Sequence, residues 1–210
     1  MTIYFVTGTD TGAGKTYVSA ALLRRARELG KRTFGFKPIE TGCTDELGPD
    51  QQVLREAAGG WQQGSLCGLY RFRDPVAPLV AAKAEGTEID LTLVIATARE
   101  TAATVSFSVV EGAGGWRVPV TPSADMASLA LQLGAPVVVA ARAGLGTINH
   151  TLLTLEAVER DGCSVAAAIL SRRPEDDVGF AEQNAAEIRR RWPGRVMVLA
   201  ADLSGLDPLI

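Results

Sequence analysis

The feature that most constrains this chain is a series of short, nearly continuous apolar runs: "TIYFVTG", "RTFGFKPI", "VSFSVVEGA", "APVVVAAR", "SVAAAILS" and "GRVMVLA". A strand with one wet face alternates apolar and polar residues, so an unbroken run marks a strand covered on both faces. Between the runs, amphipathic patterning predicts helices over 15–29, 50–58, 78–85, 90–103, 125–133, 147–161 and 178–191. Strands alternating with helices pair in parallel through right-handed crossovers. The expected fold is therefore α/β, a three-layer P-loop NTPase type with a mostly parallel central sheet and helices on both faces. No linker, repeat or low-complexity tract interrupts it, and 210 residues suit a single domain over 1–210.

In such a sheet, ligands gather at the carboxyl ends of the strands. Those ends read "GTDTGAGKT", "KPIETG", "EGAGGW", "ARAGLGTINH" and "SRRPEDD", and they concentrate the glycines and the polar chemistry. The first is a phosphate loop, because glycines let successive N–H groups turn inward on an anion and the following helix adds its positive end. Gly12, Ala13, Gly14 and Tyr17 belong to this cradle; Lys15 would reach the β- and γ-phosphates, and the Thr16 hydroxyl would ligate magnesium. The spacing is one residue too long, since Gly8 and Gly14 are separated by five residues and Thr9 stands where the first glycine belongs. A dinucleotide fingerprint fails, because a GxGxxG from Gly12 meets Tyr17 and one from Gly112 meets Arg117.

Three further residues carry charge to the same edge. Glu111 ends "FSVVE", and a buried charge there needs a partner such as magnesium. Asp50, in "GPDQQVL", reads equally as a second magnesium ligand or as the N-cap of a helix. Lys37 closes "FGFK" with Pro38 fixing the backbone behind it, in a position to neutralise charge that develops during phosphoryl transfer. Gly112, Ala113 and Gly114 follow Glu111 and line the nucleotide.

Composition excludes several classes of function. A net charge of -3 and a pI near 5.3 argue against a general nucleic-acid or anionic-membrane binder. Cys43, Cys67 and Cys163 have no metal-like spacing and cannot complete a disulfide framework, so a reducing cytoplasm is expected. The apolar run "APVVVAARAGLG" is too short to span a bilayer.

Taken together, "FVTGTDTGAGKT", "FKPIETG", "VEGAGGW" and "GLGTINHTLLTLEA" resemble the dethiobiotin synthetases of biotin biosynthesis over nearly the whole chain. In that family the longer phosphate loop is the usual form. The resemblance implies an ATP-dependent cyclo-ligase that joins carbon dioxide to 7,8-diaminopelargonic acid through a carbamate and a carbamic-phosphoric anhydride. It implies magnesium on Thr16, Asp50 and Glu111, with Lys37, Lys15 and Thr11 serving the reaction. It places Thr41 and Lys37 on the diamine or carbamate, and makes the helix start at Leu145, Gly146, Thr147, Ile148 and Asn149 a receptor for the substrate carboxylate. In the family the partner subunit donates this helix start, so a homodimer is implied.

The match is incomplete at the base. Relatives carry an Asn-Asp-like pair after the fifth strand where this chain has Ser171 in "LSRRPEDD", and a Gly-x-Ile-Pro turn where it has "LAADLSGL". Ser171 and the backbone of Leu203 and Ser204 are the candidates for reading the base, and the base preference is left open. Trp116 reads as a wall of the substrate site or as a packed interface residue, and His150, the only histidine, as a packed or capping residue rather than a general base. Two other classes compete. A P-loop switch ATPase of the partitioning or metal-delivery type would place a lysine early in the loop, where Thr9, Asp10 and Thr11 stand. A corrinoid amidotransferase synthetase would need a glutaminase domain for which 210 residues leave no room.

Overall fold

The apolar runs condense into one six-stranded parallel sheet: β1 (Thr2–Gly8), β2 (Thr33–Phe36), β5 (Phe107–Gly115), β8 (Val137–Arg142), β9 (Val165–Ser171) and β10 (Val196–Val198). The computed structural model describes residues 1–172 and 176–210. The strand order is β10-β9-β8-β1-β5-β2. The chain therefore lays β2 and β5 on one side of β1 and then turns back to build β8, β9 and β10 on the other. That reversal at β1 is the topological switch point, where the carboxyl ends of an open sheet leave a crevice.

Successive residues along each strand point to opposite faces, and both faces are dry. Val6, Val109, Val138, Ala140, Ala167 and Ile169 face α1 (Lys15–Glu28) and α2 (Pro49–Ala57). Phe5, Phe34, Phe36, Val110, Val137, Val139, Ala168 and Leu170 pack in the opposite core. That core is closed by α3 (Pro78–Ala84), α4 (Leu91–Ala102), α5 (Met126–Leu133), α6 (Thr147–Arg160) and α7 (Val178–Arg191). This is the expected three-layer arrangement, and the helix ends fall within two residues of those read from the pattern.

The strand ends depart from the sequence reading in two places. Lys37 was expected to close the second strand, but β2 stops at Phe36. Pro38 cannot donate to a ladder, and the chain leaves the sheet to form β3 (Ile39–Thr41), which pairs in parallel with β4 (Tyr70–Phe72) in a small separate sheet. Glu111 was expected at a strand end, but β5 runs on to Gly115, so Glu111 lies within the strand opposite Val6. The register between β1 and β5 slips after Val6 and resumes at Gly8 opposite Gly115, which frees the end of β1 to open into the loop. A short antiparallel pair, β6 (Pro119–Thr121) and β7 (Ala124–Asp125), leads into α5.

Candidate active site

The loop between β1 and α1 wraps the N-terminus of α1, as the Gly-Lys-Thr signature requires. Gly14 takes φ 86°, a left-handed conformation that favours glycine. A Cβ there would lie 2.1 Å from Ser171 Oγ. The same Ser171 hydroxyl lies 2.9 Å from the Ala13 carbonyl oxygen and 3.3 Å from that of Ala141, which ties the loop to the ends of β8 and β9. Lys15 is buried and donates to the Asp10 carbonyl at 3.2 Å. Burial first, and the Lys37 ammonium second, push Lys15 down to about 8, so it keeps its charge at neutral pH.

A charged cluster sits under this loop. Lys37, 3% exposed, donates to Glu111 Oε1 at 2.7 Å and to the Gly112 carbonyl at 2.8 Å, with Asp50 Oδ2 at 3.3 Å. Burial works against the Lys37 charge, but Glu111 and Asp50 outweigh it and hold the ammonium above the usual lysine range. Thr16 Oγ1 donates to the same Glu111 oxygen at 3.0 Å. Elements far apart in sequence thus bring Thr16, Lys37, Asp50 and Glu111 to one point.

Glu111 is fully buried, and its Oε2 has no hydrogen-bond partner among the described residues. A buried carboxylate oxygen without a partner is costly, and a cation would satisfy it. A hydroxyl and two carboxylates are hard donors suited to Mg²⁺. Among the described residues no group of three His, Cys, Asp or Glu side chains forms a metal cage.

A cleft of about 520 Å³ opens above the cluster, lined by Thr11, Gly12, Gly14, Lys15, Thr16 and Tyr17 from the loop side, with Lys37, Glu40, Thr41, Asp50, Ala113 and Gly114 opposite. Pro75, Val76, Ala77, Pro78 and Val118 form its apolar wall. A second cleft of about 490 Å³ shares Gly12, Gly14 and Tyr17 with the first and continues past Arg142, Ser171, Arg172, Asp176, Leu199 and Ala201.

Other expected residues lie apart from both clefts. Leu203 and Ser204 open a C-terminal 3₁₀ helix, where Ser204 donates to Asp202, and neither lines the second cleft. Leu145, Gly146 and Asn149 are exposed at the start of α6, with Ile148 half-buried beside them, and none lines either of these two clefts. Thr147 is buried, its hydroxyl 3.3 Å from that of Thr151. Trp116 packs at 4% exposure and donates to Asp161 at 2.7 Å, so it does not wall the first cleft. Arg173, in the basic pair noted after β9, lies outside the described residues.

Sequence reasoning passed over Glu40 and Gln51, although both fall inside quoted segments. Glu40 accepts from the backbone N–H groups of Asp50 at 2.8 Å and Gln51 at 3.0 Å. Burial pushes its carboxyl above the usual range, with those two hydrogen bonds opposing. The available signal was the helix start "GPDQ": glycine in the capping position offers no side-chain acceptor, which leaves the first amides to water or to a group from elsewhere in the chain.

A glycine-rich loop ending Gly-Lys-Thr at the switch point of this sheet, beside a buried lysine and two acids, defines a P-loop nucleotide-binding enzyme. Residues 2–201 match a family described as an AAA domain. The fold is also that of solved P-loop proteins. Hydrogenase maturation factor HypB from Archaeoglobus fulgidus superposes with a TM-score of 0.54 at 13% identity, covering 95% of this chain and 81% of that one. The MinC:MinD complex of Aquifex aeolicus gives a TM-score of 0.57 at 11% identity, covering 100% of this chain and 85% of that one.

Sequence similarity is more specific. The ATP-dependent dethiobiotin synthetase BioD of Anaeromyxobacter dehalogenans (strain 2CP-C) is 50% identical over 187 residues, covering 89% of this chain and 83% of the relative. That of Aromatoleum aromaticum is 37% identical over 210 residues, covering 98% and 92%. The chain belongs to the ATP-dependent dethiobiotin synthetase family.

Proposed function

We propose that this cleft converts 7,8-diaminopelargonic acid, carbon dioxide and ATP into dethiobiotin, ADP and phosphate. The observation that carries the reading is the junction of two clefts on one phosphate loop. One holds polar groups for a triphosphate and a second anion, and the other leads away along the ends of β8 and β9 toward a base. A switch ATPase has no need of the second anion site.

The reaction begins when one substrate amine adds to carbon dioxide and loses a proton, giving a carbamate. A carbamate oxygen then attacks the γ-phosphorus as ADP leaves. The neighbouring amine attacks the carbonyl of the mixed anhydride, expels phosphate and closes the ureido ring. Carbamate and triphosphate are both anions, so their approach must be made electrostatically favourable before the bond can form. Lys15 and Lys37 supply fixed positive charge, and their burial strengthens it by excluding water. The N–H groups of the loop and of the α1 N-terminus hold the phosphates. Thr11 and Thr41, on the walls of the first cleft, orient the carbamate and the diamine. Mg²⁺ held by Thr16, Asp50 and Glu111 would add neutralisation between the phosphates.

The base is assigned to the second cleft, against Ser171, Arg172, Asp176 and Leu199. The exposed start of α6 receives the substrate carboxylate of a partner subunit, which makes the working unit a homodimer. Leu145 is 96% exposed there and Leu153 is exposed further along the helix, an apolar surface suited to a second copy. Free, buried Cys43, Cys67 and Cys163 fit a cytoplasmic setting. No helix among the described residues is long and apolar enough to cross a membrane.

The test is purified protein incubated with diaminopelargonate, bicarbonate, Mg²⁺ and ATP and scored by mass. A product of dethiobiotin mass is expected. ATP hydrolysis without that product, stimulated instead by a protein or polymer partner, would overturn the synthetase reading in favour of the switch ATPase.

A further inference from the structure

We infer that Glu40 is a positioning residue for this reaction: from β3 it serves as the missing cap of α2 and so fixes Asp50 and Lys37 together. The inference rests on the reading of the first cleft as the ATP and carbamate site.

Helix α2 begins with Gly48 in the capping position, followed by Pro49. The first N–H groups of a helix have no partner within it, and Ser, Thr, Asp or Asn at the cap normally supplies one. Gly48 has no side chain with which to do so. The two Glu40 carboxylate oxygens take the role, Oε1 accepting from Asp50 N at 2.8 Å and Oε2 from Gln51 N at 3.0 Å. These are the second and third helical residues, the amides that a capping side chain would reach. The negative charge also meets the positive end of the helix.

Space is reciprocal with chemistry. A Cβ built on Gly48 would fall 2.2 Å from Glu40 Oε2 and 2.4 Å from Cδ. Glycine at 48 and glutamate at 40 are therefore two halves of one device, and a side chain at 48 would expel the carboxylate.

The device reaches the site by two routes. Asp50 itself lies in the capped turn, its carboxylate 3.3 Å from Lys37 Nζ. Gln51, the next residue, donates from Nε2 to the Lys37 carbonyl at 3.1 Å, while its Oε1 accepts from Arg71 at 3.0 Å. Lys37 and Pro38 lie between two sheets, where β2 has ended and β3 has not begun, so no ladder holds the Lys37 carbonyl. One buried carboxylate, 5% exposed, thus sets the helix that aims Asp50 and pins the backbone that carries Lys37. A group that orients such a ligand typically changes metal affinity or activity by about 10–100-fold when removed.

The experiment compares wild type, Glu40→Ala, Gly48→Ala and the double variant Glu40→Ala/Gly48→Ser. Amide hydrogen exchange at residues 50 and 51 is read in the metal-free protein, and turnover is read against Mg²⁺ concentration. Glu40→Ala and Gly48→Ala should each accelerate exchange at those two amides and raise the Mg²⁺ needed for half-maximal turnover about tenfold. In Glu40→Ala/Gly48→Ser the vacated space admits a serine cap, and both readouts should return toward wild type. Unchanged exchange in Glu40→Ala would overturn the capping role. Restored exchange without restored Mg²⁺ dependence would overturn the link to the site. If wild type itself makes no dethiobiotin, the reading of the cleft fails, while the exchange data still decide whether Glu40 caps α2.

Discussion

Lys37 shows how much meaning a single side chain takes from its place. An ammonium that is 3% exposed and bonded to Glu111 and Gly112 cannot be a solvated lysine at a sheet edge. Replacing it by glutamine keeps a donor, one atom shorter in reach, but removes the charge on which the approach of two anions depends. Lys37→Gln is therefore expected to lower kcat about 10²–10³-fold, the scale of losing one preorganised electrostatic contact, while calorimetry still detects nucleotide binding. Unchanged turnover would show that the charge is not needed. At this scale the sequence was most legible where chemistry leaves a short signature: Gly14, Lys15, Thr16, Lys37 and Glu111 were all read from strand ends, and the structure brings Thr16, Lys37 and Glu111 together. Glu40 was not, because its partners are backbone amides ten and eleven residues away, and no side-chain pattern announces them. Ser171, read as a group facing the base, lines the second cleft, and its hydroxyl also lies against backbone carbonyls of the phosphate loop and β8.

At the scale of elements, helix ends carry testable energy. Asp125 caps α5, accepting at Oδ1 from Ser128 N at 2.8 Å and Ser128 Oγ at 2.7 Å, while Ser128 Oγ accepts from Asp125 N at 3.2 Å. Asp125→Ala should cost about 1 kcal/mol of stability in chemical denaturation. Burial tends to raise this carboxyl, but the Ser128 hydrogen bonds and the nearby Arg117 hold it below its ordinary value of 3.8. With a lower value in the folded state, its contribution is complete above 3.8 and disappears as the pH falls through the folded value. The stability gap between wild type and the variant should accordingly be widest near neutral pH and close in strong acid; a gap that widened in acid would contradict the assignment. The seven α-helices among the described residues were visible because their periodicity spans about two turns or more. The three-residue strands β3 and β4 were not, since three residues hold no period, and the break at Pro38 became meaningful only once β2 was seen to stop before it.

At the scale of the whole molecule, the order β10-β9-β8-β1-β5-β2 was beyond the sequence, because alternation predicts parallel strands without saying which are neighbours. The C-terminal 3₁₀ helix (Leu203–Leu209) was also missed; it packs Leu206 and Leu209 into the core beside α1. Leu206→Ala should cost about 2–5 kcal/mol in denaturant melts, whereas a loss below ~1 kcal/mol would mean the segment is not part of that core. Assembly is tested at Leu145: Leu145→Asp should shift sedimentation from dimer to monomer and raise KM for the diamine with little change in KM for ATP. A dimer unaffected by that change would place the interface elsewhere. In the proposed reaction the cleft joins a carbamate oxygen to the γ-phosphate rather than delivering water to it. Turnover with ¹⁸O-labelled bicarbonate, under conditions where label exchange with water is slow, reads this directly in the mass of the released phosphate. The expected result is one ¹⁸O in each phosphate and one retained in the dethiobiotin carbonyl; phosphate released without label would contradict the account.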